Sequence, residues 1–260
     1  MTIEIEHSEG MPCWIDASVS SKEEREGLTE FYSALFGWSF DVGSPETGFY
    51  SIARQSGRAV VGIGEQEQGK GDWVTYFATD DIEQACKRAA SHGGQIFFPP
   101  MQVMDVGSMA LVLDPTGAVH GFWQANTFSG VEIMYEPNTP GWFDHASDNP
   151  AKASQYYQSV LSNGIEADEQ DGMTILRRGD QWFASFTHED PSTSNQSPRW
   201  TPVFVVDSLE RIRARVRELS GNVLVEEISV PGSAISILQD PILGKSITVM
   251  RAGENSSSGN

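Results

Sequence analysis

The 260-residue chain repeats itself, weakly but in four places, and such self-similarity fixes an architecture before any residue is given a chemical role. Near the start, "PCWIDASVSSKEEREGLTEFYSALFGW" is answered in the second half by "PGWFDHASDNPAKASQYYQSVLSNG". In each, a tryptophan (Trp14, Trp142) opens a strand, an aspartate (Asp16, Asp144) follows two residues later, and an amphipathic helix carries an aromatic pair, Phe31-Tyr32 or Tyr156-Tyr157. A second echo lies inside each half. "DWVTYFATDDIEQACKRAASHGGQIFFPP" and "RWTPVFVVDSLERIRARVRELSGNVLVEE" both read strand, acidic turn, helix with apolar residues at i, i+3 and i+4, glycine stop, strand. Trp73 and Trp200 head these two copies. Asp80 or Asp81 and Asp207 or Ser208 suit the helix N-caps, while Gly93 and Gly221 suit the left-handed position beyond the C-termini. The spacing predicts an α+β chain of four βαβββ modules taken in pairs, residues 10–126 and 139–252. Residues 127–138 then read as a linker and 253–260 as an unfolded polar tail. Turn-rich stretches at 64–72 and 188–198 read as loops inside the two halves.

Charge narrows the partners. A formal net charge of −19 repels phosphate backbones and anionic lipid headgroups, so neither nucleic acid nor a membrane surface is an expected partner. The N-terminal "MTIEIEHSEG" lacks the basic and apolar regions of a signal peptide, and no apolar run approaches the length of a membrane span. The expectation is a cytoplasmic protein. Its two cysteines, Cys13 and Cys86, are too few for a disulfide framework and read as reduced, buried thiols, with a pairing between them left open. Homodimerisation is also left open.

The first helix carries "FYSALFGW" and the last strand of the first half carries "DPTGAVHGFW"; paired βαβββ modules with these motifs resemble the vicinal oxygen chelate superfamily, which includes glyoxalase I, extradiol dioxygenases and bleomycin-resistance proteins. The tryptophan-headed opening strand together with "DPTGAVHGFWQAN" is similar to two-domain glyoxalase-like antigens often labelled hydroxylases; "DPILGKSITVM" is a degraded second copy. The resemblance implies two tandem glyoxalase-like domains, each a sheet curled around a cup with helices on its convex side. Metal-dependent relatives hold a divalent ion in the cup on His, Gln or Glu from the first and last strands of the modules. The matching positions here read Trp14 or its neighbour, Trp73 or Val74, and Gly121 in one half, and Trp142, Trp200 or Thr201, and Thr248 in the other. Indole has no lone pair for a metal, glycine has no side chain and threonine is a weak neutral ligand. Neither a metal nor another cofactor is therefore expected.

Strand alternation sets Trp14 beside Asp16 and Trp142 beside Asp144, and sets Gly121 beside Trp123. Thr75 and Phe77 would follow Trp73 on its face. The expected ligand-binding set is Trp14, Asp16, Trp73, Thr75, Gly121, Trp123, Trp142, Asp144 and Trp200, lining cups with aromatic walls. Gly62, Gly64 and Gly121, against Ala184, Phe186 and Thr248, suggest a roomier first cup. The same alternation turns His120 and His145 away from the cups, toward the helix layer or an edge, in structural roles. The expected function is metal-independent binding of a small, flat, largely apolar molecule. A metal-free enzyme using a buried aspartate as acid or base on a ketone or polycyclic substrate is one alternative. A metal-dependent lyase or dioxygenase is the other. Enzymatic activity is left open, and no catalytic residue is assigned.

Overall fold

The structure, a computed structural model, describes residues 5, 7–65, 72–170, 172–190, 192 and 196–253. The loops read at 64–72 and 188–198 fall partly outside the described residues, as does all of the tail beyond Gly253.

The first half forms β1 (Pro12–Val19), α1 (Lys22–Phe36), β2 (Ser39–Val42), β3 (Ser51–Gln55) and β4 (Arg58–Glu65), then β5 (Trp73–Ala78), α2 (Ile82–Ser91), β6 (Gln95–Val103), β7 (Gly107–Leu113) and β8 (Val119–Ala125). The second half repeats the order with β9 (Pro140–Ser147), α3 (Pro150–Val160), β10 (Ile165–Gln170), β11 (Met173–Arg178) and β12 (Gln181–His188). It closes with β13 (Arg199–Val206), α4 (Leu209–Glu218), β14 (Asn222–Val230), β15 (Ser233–Gln239) and β16 (Ser246–Arg251). The class is α+β, with four βαβββ modules. Each half supplies one mixed eight-stranded sheet, ordered β2-β3-β4-β1-β5-β8-β7-β6 and β10-β11-β12-β9-β13-β16-β15-β14. Within every module the first strand pairs parallel with the last, and the remaining strands follow as antiparallel hairpins.

Local chemistry sets the helix ends. Side chains of Ser21, Asp81, Asn149 and Ser208 each accept an otherwise orphaned amide of the first turn, and Pro150 occupies the first position of α3, where no amide is needed. Gly93 has the expected left-handed backbone, φ 91°, but after α4 that conformation falls on Ser220, φ 64°. Gly221 is required for another reason: a Cβ there would lie 2.8 Å from the Gln239 carbonyl oxygen and from Val216.

Contacts divide the chain into two compact units that each draw on both sequence halves. One comprises Met1–Ile15, Val74–Gly130 and Trp142–Thr201; the other comprises Asp16–Trp73, Val131–Gly141 and Pro202–Asn260. In the first unit, α2 meets α3, with Arg88 Nε donating to the Val160 carbonyl at 3.2 Å. Phe77, Phe186 and Trp200 there surround Tyr157, at ring separations of 5.8, 5.9 and 5.0 Å. In the second unit, Phe36, Trp38 and Trp73 surround Tyr32 at 5.9, 5.7 and 5.6 Å. Burial of each such side chain contributes on the order of 2–3 kcal/mol. Both cysteines are buried free thiols, and burial pushes the Cys86 thiol up to about 11. No helix among the described residues is long and apolar enough to cross a membrane.

Candidate functional site

Which face a side chain takes decides whether it can meet a ligand. On β1, Cys13, Ile15, Ala17 and Val19 are buried, while Asp16 and Ser18 on the alternate face are half-exposed. Trp14 therefore shares the open face with Asp16, and on β9 Trp142 shares it with Asp144. The tryptophans heading the other two modules point the opposite way. Trp73 packs on Tyr32 of α1, and Trp200 is 1% exposed with its indole N–H donating to the Tyr157 hydroxyl of α3 at 2.8 Å. Thr75, fully buried, follows the parity of Trp73 and Phe77 and shares their helix-packed face. Trp73, Thr75 and Trp200 are thus not cup residues. A one-residue difference in register carries an entire strand's side chains to the other face, and a shared residue type at the module head conceals it.

The space expected at the glycines is filled. In the first unit Tyr76 and Gly121 are register partners, and a Cβ on Gly121 would fall on the Tyr76 ring. Trp14, 5% exposed, and Trp123, 7% exposed, lie beneath Phe128 at ring separations of 4.9 and 6.3 Å, and Trp123 Nε1 donates to the Phe128 carbonyl at 2.9 Å. In the second unit the half-buried Tyr50 ring covers Gly62 and Gly64, with its hydroxyl 3.5 Å from Asp16 Oδ2. Rings on neighbouring strands occupying the space above a glycine are a recurrent sheet device, and the aromatic partners were the signal to read.

The more open arrangement lies on β9, β12 and β13 of the first unit. Trp142 and Asp144 are both half-exposed. Trp142 Nε1 donates to Ser185 Oγ at 2.8 Å, Ser185 donates to Asp144 Oδ1 at 2.7 Å, and Thr187 donates to Asp144 Oδ2 at 2.8 Å. Parallel pairing of Ser185 with Asp144 brings these groups together across β12 and β9. Burial raises the Asp144 carboxyl above its ordinary range, against the lowering effects of the two hydroxyls, His145 and Arg199. Arg199 heads β13 and is held by Glu189, with Nη2 to Oε1 at 3.0 Å. Ser185, Thr187 and Arg199 were not singled out in the sequence. The alternation "SFTH", with Ser185 and Thr187 flanking the buried Phe186, is the pattern that points to the first two.

A second polar cluster lies wholly inside this unit. Asp114 Oδ1 accepts the amides of Thr116, Gly117 and Ala118 at 2.7, 2.9 and 3.1 Å, closing the "DPTG" turn. Its Oδ2 lies 2.8 Å from His145 Nε2 and accepts the Tyr157 hydroxyl at 2.9 Å. Burial alone would raise the Asp114 carboxyl, but the hydrogen bond and charge of His145, with the Thr116 and Ala118 groups, hold it well below the usual carboxylate range. His120 Nε2 lies 3.1 Å from the Tyr156 hydroxyl, and burial depresses the imidazole to about 4. Both histidines are fully buried on the helix side, so the cluster is framework rather than a reaction centre. The matching Asp240 turn in the second unit binds the amides of Ile242, Leu243 and Lys245, with Ala17 and Ile247 at the positions of the two histidines.

These donors do not fit a catalytic metal. Among the described residues no group of three or more His, Cys, Asp or Glu is placed to hold an ion. Gly121 offers no donor, Asp144 is bound by two hydroxyls, and Asp114 is enclosed by His145, Tyr157 and three amides.

The two mixed sheets of βαβββ modules define a two-domain α+β fold of the glyoxalase kind. The Mn(II)-bound glyoxalase of Novosphingobium aromaticivorans superposes with a TM-score of 0.68 at 14% identity, covering 95% of this chain and 83% of its own. The 2,3-dioxygenase LapB of Pseudomonas sp. KL28 superposes with a TM-score of 0.64 at 14% identity, covering 94% and 92%. In fold the chain is similar to these vicinal oxygen chelate proteins. At the sequence level it is 28% identical over 247 residues to CFP32 of Mycobacterium tuberculosis (strain CDC 1551 / Oshkosh), provisionally named a glyoxylase, covering 91% of this chain and 93% of that protein. It is also 28% identical over 270 residues to the anthracycline biosynthesis protein DnrV of Streptomyces peucetius, covering 96% and 97%. No protein-family model matches the sequence.

Proposed function

We propose that the chain is a metal-independent cytoplasmic protein that binds a small, flat, largely apolar molecule on the open face of β9, β12 and β13. The observation that carries this reading is the Trp142–Ser185–Asp144–Thr187 chain of hydrogen bonds, an indole wall ending in a half-buried carboxyl and two hydroxyls. A mostly apolar surface with a few convergent polar groups is what small-molecule sites require. The similarity to DnrV, whose name places that protein in anthracycline biosynthesis, supports a polycyclic ligand. Stacking on an indole is worth about 0.5–1.5 kcal/mol beyond area burial, so Trp142→Ala is expected to weaken binding of a planar aromatic by roughly two- to tenfold. Calorimetric titration checks this; unchanged affinity in a folded Trp142→Ala protein refutes the site. Elemental analysis after growth with added Zn, Mn and Fe is expected to find no stoichiometric metal, and tight stoichiometric loading would return the lyase and dioxygenase alternative.

The raised carboxyl of Asp144 favours a second reading, metal-free proton transfer on a bound ketone. Under it, Asp144→Asn abolishes turnover while ligand affinity changes little. Under the binding reading there is no turnover to lose.

A further inference from the structure

Arg199 presents a feature that its ion pair does not explain. Both terminal nitrogens are engaged, Nη1 and Nη2 by Glu189 and Nη1 also by the Ser197 carbonyl, yet Nε is buried without a hydrogen-bond partner. Strand alternation fixes its direction: Trp200 points into the helix-packed core at Tyr157, so Arg199 takes the opposite face of β13, which adjoins β9 in the sheet. Asp144 takes that same face, because its neighbour His145 points into the core toward Asp114. Arg199 is also among the groups whose charge acts on Asp144. A fixed N–H donor and a carboxyl acceptor therefore stand together on the face that carries the Trp142 indole. Asp144 accepts one hydroxyl on each oxygen and retains lone pairs for another donor.

Resting on the binding reading above, we infer that Arg199 and Asp144 are the specificity-determining polar end of the site, selecting a planar molecule with a carbonyl and a hydroxyl on one edge. The carbonyl accepts from Arg199 Nε and the hydroxyl donates to Asp144. A guanidinium is suited to this role because Glu189 can fix its outer fork while the inner N–H stays free to meet a ligand. A buried donor lacking a protein partner is met either by a water molecule or by a ligand's acceptor, and an isolated hydrocarbon supplies none.

The experiment titrates the full-length protein calorimetrically with 2-hydroxyanthraquinone, anthraquinone and anthracene. The expected order of affinity is 2-hydroxyanthraquinone, anthraquinone, anthracene, with at least tenfold between first and last. Arg199→Lys keeps the charge facing Glu189 but removes the Nε–H; it is expected to reduce the preference of anthraquinone over anthracene to within twofold. Asp144→Asn is expected to remove the advantage of the hydroxyl alone. Equal affinity for all three probes in the unaltered protein overturns the inference whether or not the variants fold, and places a water molecule on Arg199 Nε. Discrimination that persists in both folded variants overturns it too. Failure of every probe to bind, anthracene included, overturns the underlying binding reading as well.

Discussion

Asp114 shows how one turn residue comes to hold a unit together. Its position before "PTG" made the turn legible from sequence, since aspartate commonly accepts amides two and three residues on. Its second role was not legible, because His145 and Tyr157 arrive from another module and no local pattern announces them. Removing the carboxylate leaves buried groups of His145 and Tyr157 short of an acceptor, so Asp114→Asn is expected to cost about 1–3 kcal/mol of stability. Urea unfolding at pH 7 measures it; a loss below about 1 kcal/mol would contradict the geometry. On the pH dependence two depressed groups act with one sign, and the raised carboxyls of Asp144 and Asp240 act with the other. His120 is depressed to about 4, so its neutral form is favoured in the folded chain. Its contribution is complete above the unfolded value of about 6.5 and is lost as pH falls toward 4, on the order of 3 kcal/mol. Asp114, also depressed, contributes fully above about 3.9 and loses that contribution only below it. From pH 7 to pH 4, His120→Gln should therefore lose less stability than the unaltered protein. An unaltered slope in the variant would remove His120 as its cause.

At the scale of strands, repetition misled as much as it helped. Four tryptophans at four module heads suggested one shared role, yet Trp14 and Trp142 take the open face while Trp73 and Trp200 enter the helix-packed layer. The alternation within each strand was readable; the face presented to the helices was not, because it depends on partners such as Tyr32 and Tyr157 that lie on other elements. The β5–β8 pair gives a direct check. With Tyr76 lying against Gly121, Gly121→Ala forces the ring or the strand to move and is expected to cost about 1–3 kcal/mol. In a Tyr76→Ala background the same change should cost clearly less, because the two positions share one space. Additive losses in thermal denaturation of the single and double variants would mean that the ring does not occupy that space.

For the whole molecule, the repeat announced four modules but not which modules assemble into compact units. In the chain the first module adjoins the second, within residues 10–126, whereas contacts group the second with the third and the first with the fourth. The difference lies in apolar surfaces that match across long separations, such as Phe77 with Trp200 in one unit and Phe36 with Phe204 in the other. Cutting the chain in the segment 127–138 therefore splits both units. Each half expressed alone is expected to lack a cooperative thermal transition, and mixing the halves should restore one; independent melting of either half would refute this. Synthesis on the ribosome meets the same constraint in time. The unit containing residues 74–130 and 142–201 can close while the rest of the chain is still being made, but the first module must await segments from position 202 onward. At roughly 5–20 residues per second, the interval between completing that module and reaching its late partners is on the order of ten seconds. During it most of the first module is without the segments that complete its unit in the finished chain.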